Sequence, residues 1–246
     1  IILIDIGNSN IVISKYQNEM SETYRYNTDK TKSIDEYYVI LKPVIEKATG
    51  IMISSVVPEL NVIFKNMAEK YLNITPLFVS PGIKTGVRIT VDNPKEVGAD
   101  LVASAAGVIA HYGETAIVVD MGTATTFTYI ENRIIKGVAI TAGLVTQRNA
   151  LISGTSQLSQ FEFRKPEKVI ETNTIDCLNA GLLYSNALMV KGMIEAIKKE
   201  EDVNPPVIIT GGASRFIEAL LEDEDFVFDD LLLLKGLITI YHKNQK

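Results

Sequence analysis

Ile2-Leu3-Ile4-Asp5-Ile6-Gly7-Asn8-Ser9-Asn10 recurs in kind as Ile117-Val118-Val119-Asp120-Met121-Gly122-Thr123-Ala124-Thr125. Each copy is an apolar, largely β-branched run that ends in Asp-x-Gly and then in small hydroxyl or amide residues. A repeat spaced this widely predicts two related domains rather than a solenoid. The apolar run predicts a buried strand. The carboxylate at its end can hold a hydrated cation, since Mg²⁺ usually binds through one or two carboxylates, waters and substrate phosphates. Gly7 lacks a Cβ, so the backbone there can turn sharply and approach a phosphate. Asn8, Ser9 and Asn10 add side-chain and backbone donors. One copy alone would suit an ordinary hairpin around a Gly-Asn turn. Two copies in the same strand context favour phosphate and cation chemistry.

Around these copies the chain reads as a globular α/β protein. Its 246 residues suffice for one large domain or two of ordinary size, and 46% hydrophobic with 22% charged residues fits a substantial core. The net charge of −6 and the lack of a long basic stretch exclude a nucleic-acid footprint. The single cysteine, Cys177, cannot form an internal disulfide and is expected to pack as a small apolar residue. The apolar run 101–110 is too short to span a bilayer. With no signal peptide before the first strand, the expectation is a cytoplasmic protein without membrane or nucleic-acid partners.

Strands and helices alternate along the chain. A hairpin is expected over 2–6 and 10–15, a helix over 33–47 in which Pro43 is a candidate kink, and strands at 51–56 and 77–79. Pro58 suits the first turn of a helix over 58–71. Asn93-Pro94-Lys95-Glu96 has the form of a capped helix start, predicting one helix from there to about His111. Further strands are expected at 116–120, 125–130, 134–140 and 207–210. A long helix should fill 174–199, another 213–222, and a helix or strand 230–242. The domain boundary is expected near 113, giving domains 1–113 and 114–246.

Two more places could carry chemistry. In the helix after Asn93, Val97, Leu101, Ala105 and Val108 would form one apolar stripe, with Asp100 at its edge. Gly98, Ala99 and Ser104 leave this carboxylate small neighbours and room for a substrate, although a solvated helix residue would look the same. Thr210-Gly211-Gly212 ends a buried strand, and suits either close backbone approach to a flat ligand such as adenine or a tight strand-to-helix turn.

In order, Asp5-x-Gly7-Asn8, Asn93-Pro94-x-Glu96-Val97-Gly98-Ala99-Asp100, Asp120-x-Gly122-Thr123-Ala124-Thr125-Thr126 and Thr210-Gly211-Gly212 resemble the type III pantothenate kinase family. That family belongs to the superfamily joining acetate and sugar kinases to actin. The resemblance implies duplicated ribonuclease-H-like (actin-like ATPase) α/β domains with an ATP cleft between them. It also implies ATP-dependent phosphorylation of pantothenate to 4′-phosphopantothenate, the first step of coenzyme A biosynthesis. Asp5, Ile6, Gly7, Asn8, Ser9, Asn10, Ile11 and Val12 would form the first phosphate loop, with Asp5 a candidate Mg²⁺ ligand. Gly122, Thr123, Thr210, Gly211 and Gly212 would also contact ATP. Asp120 matches the ligand of a monovalent cation, K⁺ or NH₄⁺. Asp100 matches the catalytic base, and Gly98, Ala99, Asp100 and Leu101 would line the pantothenate site. Thr174 matches a substrate contact contributed across a homodimer interface. Phosphoryl transfer needs mainly positioning, charge neutralisation and one base, which such residues can supply.

The substrate-facing half departs from the family pattern. Leu101 stands where the family usually has Arg, a residue able to grip a carboxylate by charge-assisted hydrogen bonds. Gly137-Val138-Ala139-Ile140-Thr141-Ala142-Gly143 lacks the usual proline, and Thr155-Ser156-Gln157-Leu158-Ser159 replaces Thr-Ala-x-Leu-Pro. The alternative role is therefore a catalytically weakened nucleotide-binding paralogue acting as an accessory regulator of the Bvg type. Retention of Asp5, Asp100 and Asp120 favours the enzyme.

Overall fold

The computed structural model describes residues 1–155, 158 and 160–245. The expected Thr155–Ser159 motif therefore falls partly outside the described residues, at Ser156, Gln157 and Ser159. In chain order the elements are β1 (Ile2–Ile6), β2 (Asn10–Gln17), β3 (Glu19–Asn27), α1 (Ile34–Ile45), β4 (Ile51–Ser55), α2 (Pro58–Leu72), β5 (Leu77–Phe78), β6 (Arg88–Ile89), α3 (Ala99–His111), β7 (Ala116–Met121), β8 (Ala124–Glu131), β9 (Ile134–Ala142), α4 (Leu144–Ser153), α5 (Thr174–Glu201), β10 (Val207–Thr210), β11 (Phe226–Phe228) and α6 (Leu232–Lys243). They form two compact units, one of residues 1–111 with 231–246 and one of residues 112–230.

The strand pattern is duplicated, as the sequence repeat predicts. In the first unit the sheet order is β3-β2-β1-β4-β5. β1 pairs antiparallel with β2 and parallel with β4, which sets Asp5 opposite Ser54. In the second unit the order β11-β10-β7-β8-β9 repeats this arrangement. β7 pairs antiparallel with β8, with Asp120 opposite Thr126, and parallel with β10, with Thr210 opposite Asp120. Each acidic residue thus ends a central strand that has a hairpin partner on one side and a parallel strand on the other.

Alternation along β1 divides the first unit's core. Ile2, Ile4 and Ile6 pack with Tyr37 and Leu41 of α1 and Phe64 of α2. Leu3, on the opposite face, joins Met52, Ala103, Ala106 and Leu237 under α3 and α6. Full burial of an aliphatic side chain is worth about 1.5–3 kcal/mol, so both covers matter to this sheet. In the second unit, Val119, Met121, Phe127 and Ile209 pack against Leu183, Val190 and Ile194 of α5.

α3 and α6 cross where glycine faces backbone. A Cβ on Gly236 would overlap Ala103 O and lie 2.6 Å from its carbonyl carbon, and one on Gly107 would overlap Leu232 O. This crossing assigns α6 to the first unit. The expected C-terminal domain of 114–246 therefore loses its last helix, because α6 is needed to cover Leu3 and Met52.

Other expectations change in detail. The single helix from Asn93 is broken: Pro94–Glu96 is a 3₁₀ turn, Val97 is extended, and α3 starts at Ala99. Asn93 does not cap the backbone; its Nδ2 donates to Glu96 Oε1 at 2.6 Å. Residues 213–222 form two 3₁₀ turns, Ser214–Phe216 and Glu218–Leu220, rather than a helix. α1 runs through Pro43 unbroken. Cys177 is exposed at the start of α5 and not packed, its thiol directed at Glu171 O at 3.2 Å.

Candidate functional site

The first repeat turns tightly. Gly7 N–H donates to Asn10 O at 2.9 Å, and Thr28 Oγ, at the end of β3, donates to Gly7 O at 2.6 Å. Asn8 and Ser9 stand exposed at the tip, Gly7, Asn10 and Val12 are half-buried, and Asp5 is half-buried at the strand end. Ile6 and Ile11 are fully buried core residues, so they present no surface to a ligand. The second repeat is built in the same way. Gly122 N–H donates to Ala124 O at 3.0 Å, Gly143 N–H to Thr123 O at 3.1 Å, and Thr146 Oγ to Thr123 O at 2.6 Å. A threonine hydroxyl from a neighbouring element thus pins each loop, Thr28 in one and Thr146 in the other. Both were missed from the sequence, because each lies well outside its motif.

At the third loop, Gly211 has φ +89°, a conformation that favours glycine. A Cβ there would overlap Asp120 Oδ1 and sit 2.5 Å from Met121 N. The close approach that this diglycine permits is therefore to β7 itself. Thr210 is buried, while Gly212 is exposed.

Asp100 sits in the first turn of α3, where backbone N–H groups lack helical partners. Its Oδ1 accepts the Leu101 N–H at 2.8 Å and lies where a Cβ of Gly98 would be. Only glycine at 98 allows this rotamer. Burial raises the Asp100 carboxyl above the ordinary aspartate range, against the smaller lowering effect of the Leu101 and Asp100 backbone N–H groups. The carboxylate is thus more basic than one in water, with one oxygen anchored. Gly98, Ala99 and Leu101 are half-buried around it, and the position of a Gly98 Cβ is 3.6 Å from Val56 Cγ1 at the end of β4. The apolar stripe read from the sequence does not form as expected, since Val97 precedes the helix and α3 is buried all round from Val102 to Val108.

In the second unit Thr174 is the exposed first residue of α5, capped by Asn173, whose side chain accepts the Asp176 N–H at 3.0 Å. Arg164 is held beside it by Asp176, with Nε to Oδ1 at 2.9 Å. Three cations that could meet a substrate carboxylate differ in availability. Arg148 donates to Phe161 O at 3.2 Å and lies over the Phe163 ring at 5.0 Å, whereas Arg88 and Lys84 are exposed. Among the described residues no group of three or more His, Cys, Asp or Glu side chains is placed to hold a metal by itself. A lone carboxylate such as Asp5 still suits Mg²⁺, which takes most of its ligands from water and phosphate.

A family profile described as type III pantothenate kinase matches residues 1–196. The chain belongs to the type III pantothenate kinase family. Two curated members carrying that name are similar to it throughout. The relative from Halalkalibacterium halodurans is 41% identical over 253 residues, 99% of each chain. That from Acholeplasma laidlawii is 41% identical over 250 residues, the whole of each. Solved structures share the fold at lower identity. One described as a Baf family transcriptional activator, from Campylobacter jejuni, superposes with a TM-score of 0.63 at 22% identity, over 99% of this chain and 98% of that one. An inorganic polyphosphate/ATP-glucomannokinase from Arthrobacter does so with a TM-score of 0.50 at 13% identity, over 99% and 97%. Within this type III pantothenate kinase, Gly98 and the Asp100 rotamer depend on each other, since a side chain at 98 would displace the Asp100 carboxylate.

Proposed function

We propose that this chain transfers the γ-phosphoryl group of ATP to the hydroxyl of pantothenate, giving 4′-phosphopantothenate for coenzyme A biosynthesis. Family membership across the whole chain supports the reaction. The observation that carries it is Asp100, a desolvated carboxylate anchored through one oxygen at a helix N-terminus. Its other oxygen would take the proton of the acceptor hydroxyl as that oxygen bonds to phosphorus and ADP departs. Gly98, Ala99, Leu101 and Thr174 are the proposed pantothenate contacts. The pinned loops, Asp5 to Val12 and Gly122-Thr123, with Thr210 to Gly212, are the proposed ATP contacts. Ile6, Ile11 and Thr210, buried in the core, would serve by holding these loops in shape. Mg²⁺ held by Asp5 would neutralise phosphate charge. A carboxylate facing phosphates repels them unless a cation lies between, which is the case for K⁺ or NH₄⁺ at Asp120.

A homodimer is part of the proposal. Gly181, Ser185, Leu188 and Gly192 form an exposed stripe along α5, with Leu188 64% exposed, while the adjacent Leu182 is buried in its own core. Ile140, Leu151, Val169 and Ile170 add exposed apolar surface to the same unit. Among the described residues no helix is long and apolar enough to cross a membrane, and a cytoplasmic enzyme is proposed. A binding-only role would leave the desolvated Asp100 without a task. The deciding experiment is a coupled ATP-consumption assay with pantothenate, run with and without K⁺ or NH₄⁺. No pantothenate-dependent turnover under either condition would refute the enzyme.

A further inference from the structure

Ser104 is 2% exposed in α3, and among the described residues its Oγ has no hydrogen-bond partner. That is costly, because a buried hydroxyl left without a partner forgoes its hydration. A serine inside a helix has a local remedy, which is to donate to the carbonyl one turn back. Thr239 does this to Lys235 O at 2.8 Å, and Asn186 and Asn179 do the same through their amides to Leu182 O and Ile175 O. Ser104 does not. Its neighbours in sequence are Ala103, Ala105 and Ala106, so an alanine would fit the same helix without the orphan hydroxyl.

The residue one turn before Ser104 is Asp100. Residues four apart on a helix share a face, with Cβ atoms about 5–6 Å apart. Helical side chains lean toward the N-terminus, so Ser104 leans toward Asp100 and not away from it. Asp100 is satisfied through Oδ1 by the Leu101 N–H, a contact that draws the carboxylate over Gly98.

We propose that Ser104 is the positioning residue of Asp100, its O–H donating to the carboxylate when the acceptor substrate draws Asp100 away from its contact over Gly98. The carboxylate then has two stations: a resting one on the Leu101 N–H and a working one steadied by Ser104. No bond is made or broken at Ser104, which keeps its proton throughout. The inference rests on Asp100 being the base of the proposed kinase.

The test compares Ser104→Ala and Ser104→Thr with the parent protein, measuring kcat, KM for pantothenate and melting temperature. Parent turnover is measured first. If the parent is inactive, the kinase reading has failed before Ser104 is in question. With an active parent, Ser104→Ala should lower kcat ten-fold or more with KM within about two-fold, the pattern of a contact made only as reaction proceeds. Ser104→Thr, which keeps the hydroxyl, should restore most of the loss. A purely structural hydroxyl predicts instead an unchanged kcat and an equal or higher melting temperature in Ser104→Ala. That result overturns the proposal, as does a loss of kcat that threonine fails to recover.

Discussion

Gly236→Ala should destabilise the protein, against the usual trend for alanine in a helix. In a helix interior, alanine is favoured over glycine by about 1 kcal/mol. At the α3–α6 crossing, however, the new Cβ would overlap Ala103 O, lie 2.6 Å from Ala103 C and 3.0 Å from Gly107 N. All three are backbone atoms, which cannot swing aside as a side chain would. The helices must separate, and overpacking of this kind costs about 1–3 kcal/mol beyond any propensity gain. For a chain of this length each kcal/mol shifts Tm by about 2–4 °C, so the expected fall is roughly 2–12 °C. α3 also carries Asp100, and a displacement of about 1 Å at a reacting group can cost on the order of 100-fold in rate. The internal control is Gly192→Ala on α5, where nothing lies within 4 Å of the new Cβ. Within one chain only propensity acts there, and Tm should rise slightly; a fall would instead mark contact with a second copy across the proposed dimer face. Thermal melts with kcat on the same preparations test both. If Gly236→Ala melts at or above the parent, the crossing is looser than described and the argument fails.

Asp100→Asn should cut turnover by about 10²–10⁴-fold with ATP binding kept. Because burial raises the Asp100 pKa, the folded state holds its proton more readily than the unfolded chain, so this group favours folding at low pH and loses that contribution as pH rises through its folded pKa. The acid limb of the parent's kcat profile should therefore lie above that of a solvated aspartate, and Asp100→Asn should melt no lower than the parent at pH 7. A profile that breaks at the ordinary carboxylate value would count against Asp100 as the base. Equal rates in sodium-only and potassium-containing buffers would remove the monovalent-cation role of Asp120. Leu101→Arg should lower KM for pantothenate by roughly ten- to hundred-fold with little change in kcat, since it adds a charged hydrogen bond to the substrate carboxylate. Lower Tm without a gain in KM would show instead that Leu101 belongs to the packing of α3.

The architecture was legible where periodicity is local. The paired strand ends at Asp5 and Asp120, the length of α5 and the helix over 33–47 that became α1 were all readable from neighbouring residues. Failures came where distant residues decide. α3 starts late because Val97 is extended after the Pro94–Glu96 turn, so the first helical bond runs from Val102 N–H to Gly98 O, a break that the local pattern does not mark. β3 was overlooked because Glu19–Asn27 lies at a sheet edge with mostly exposed positions, so its alternation is faint. α4 has no clean apolar stripe and buries only Leu144. Likewise the loop pins Thr28 and Thr146 depend on tertiary placement, and an isolated threonine in sequence carries no sign of its partner.

The order in which the polypeptide is made bears on α6. The second unit is one uninterrupted stretch, 112–230, and can fold as soon as it has emerged from the ribosome. The first unit cannot, because its sheet waits for a helix encoded near the other end of the sequence. Until Leu237 and Ile240 arrive, Leu3 and Met52 have only α3 as cover and part of their apolar face stays open. The nascent first half should therefore be the aggregation-prone species and the part that engages chaperones. A circular permutant that places residues 231–245 ahead of Ile1 would close this gap in synthesis, and should give more soluble protein without any change to the chemistry at Asp100.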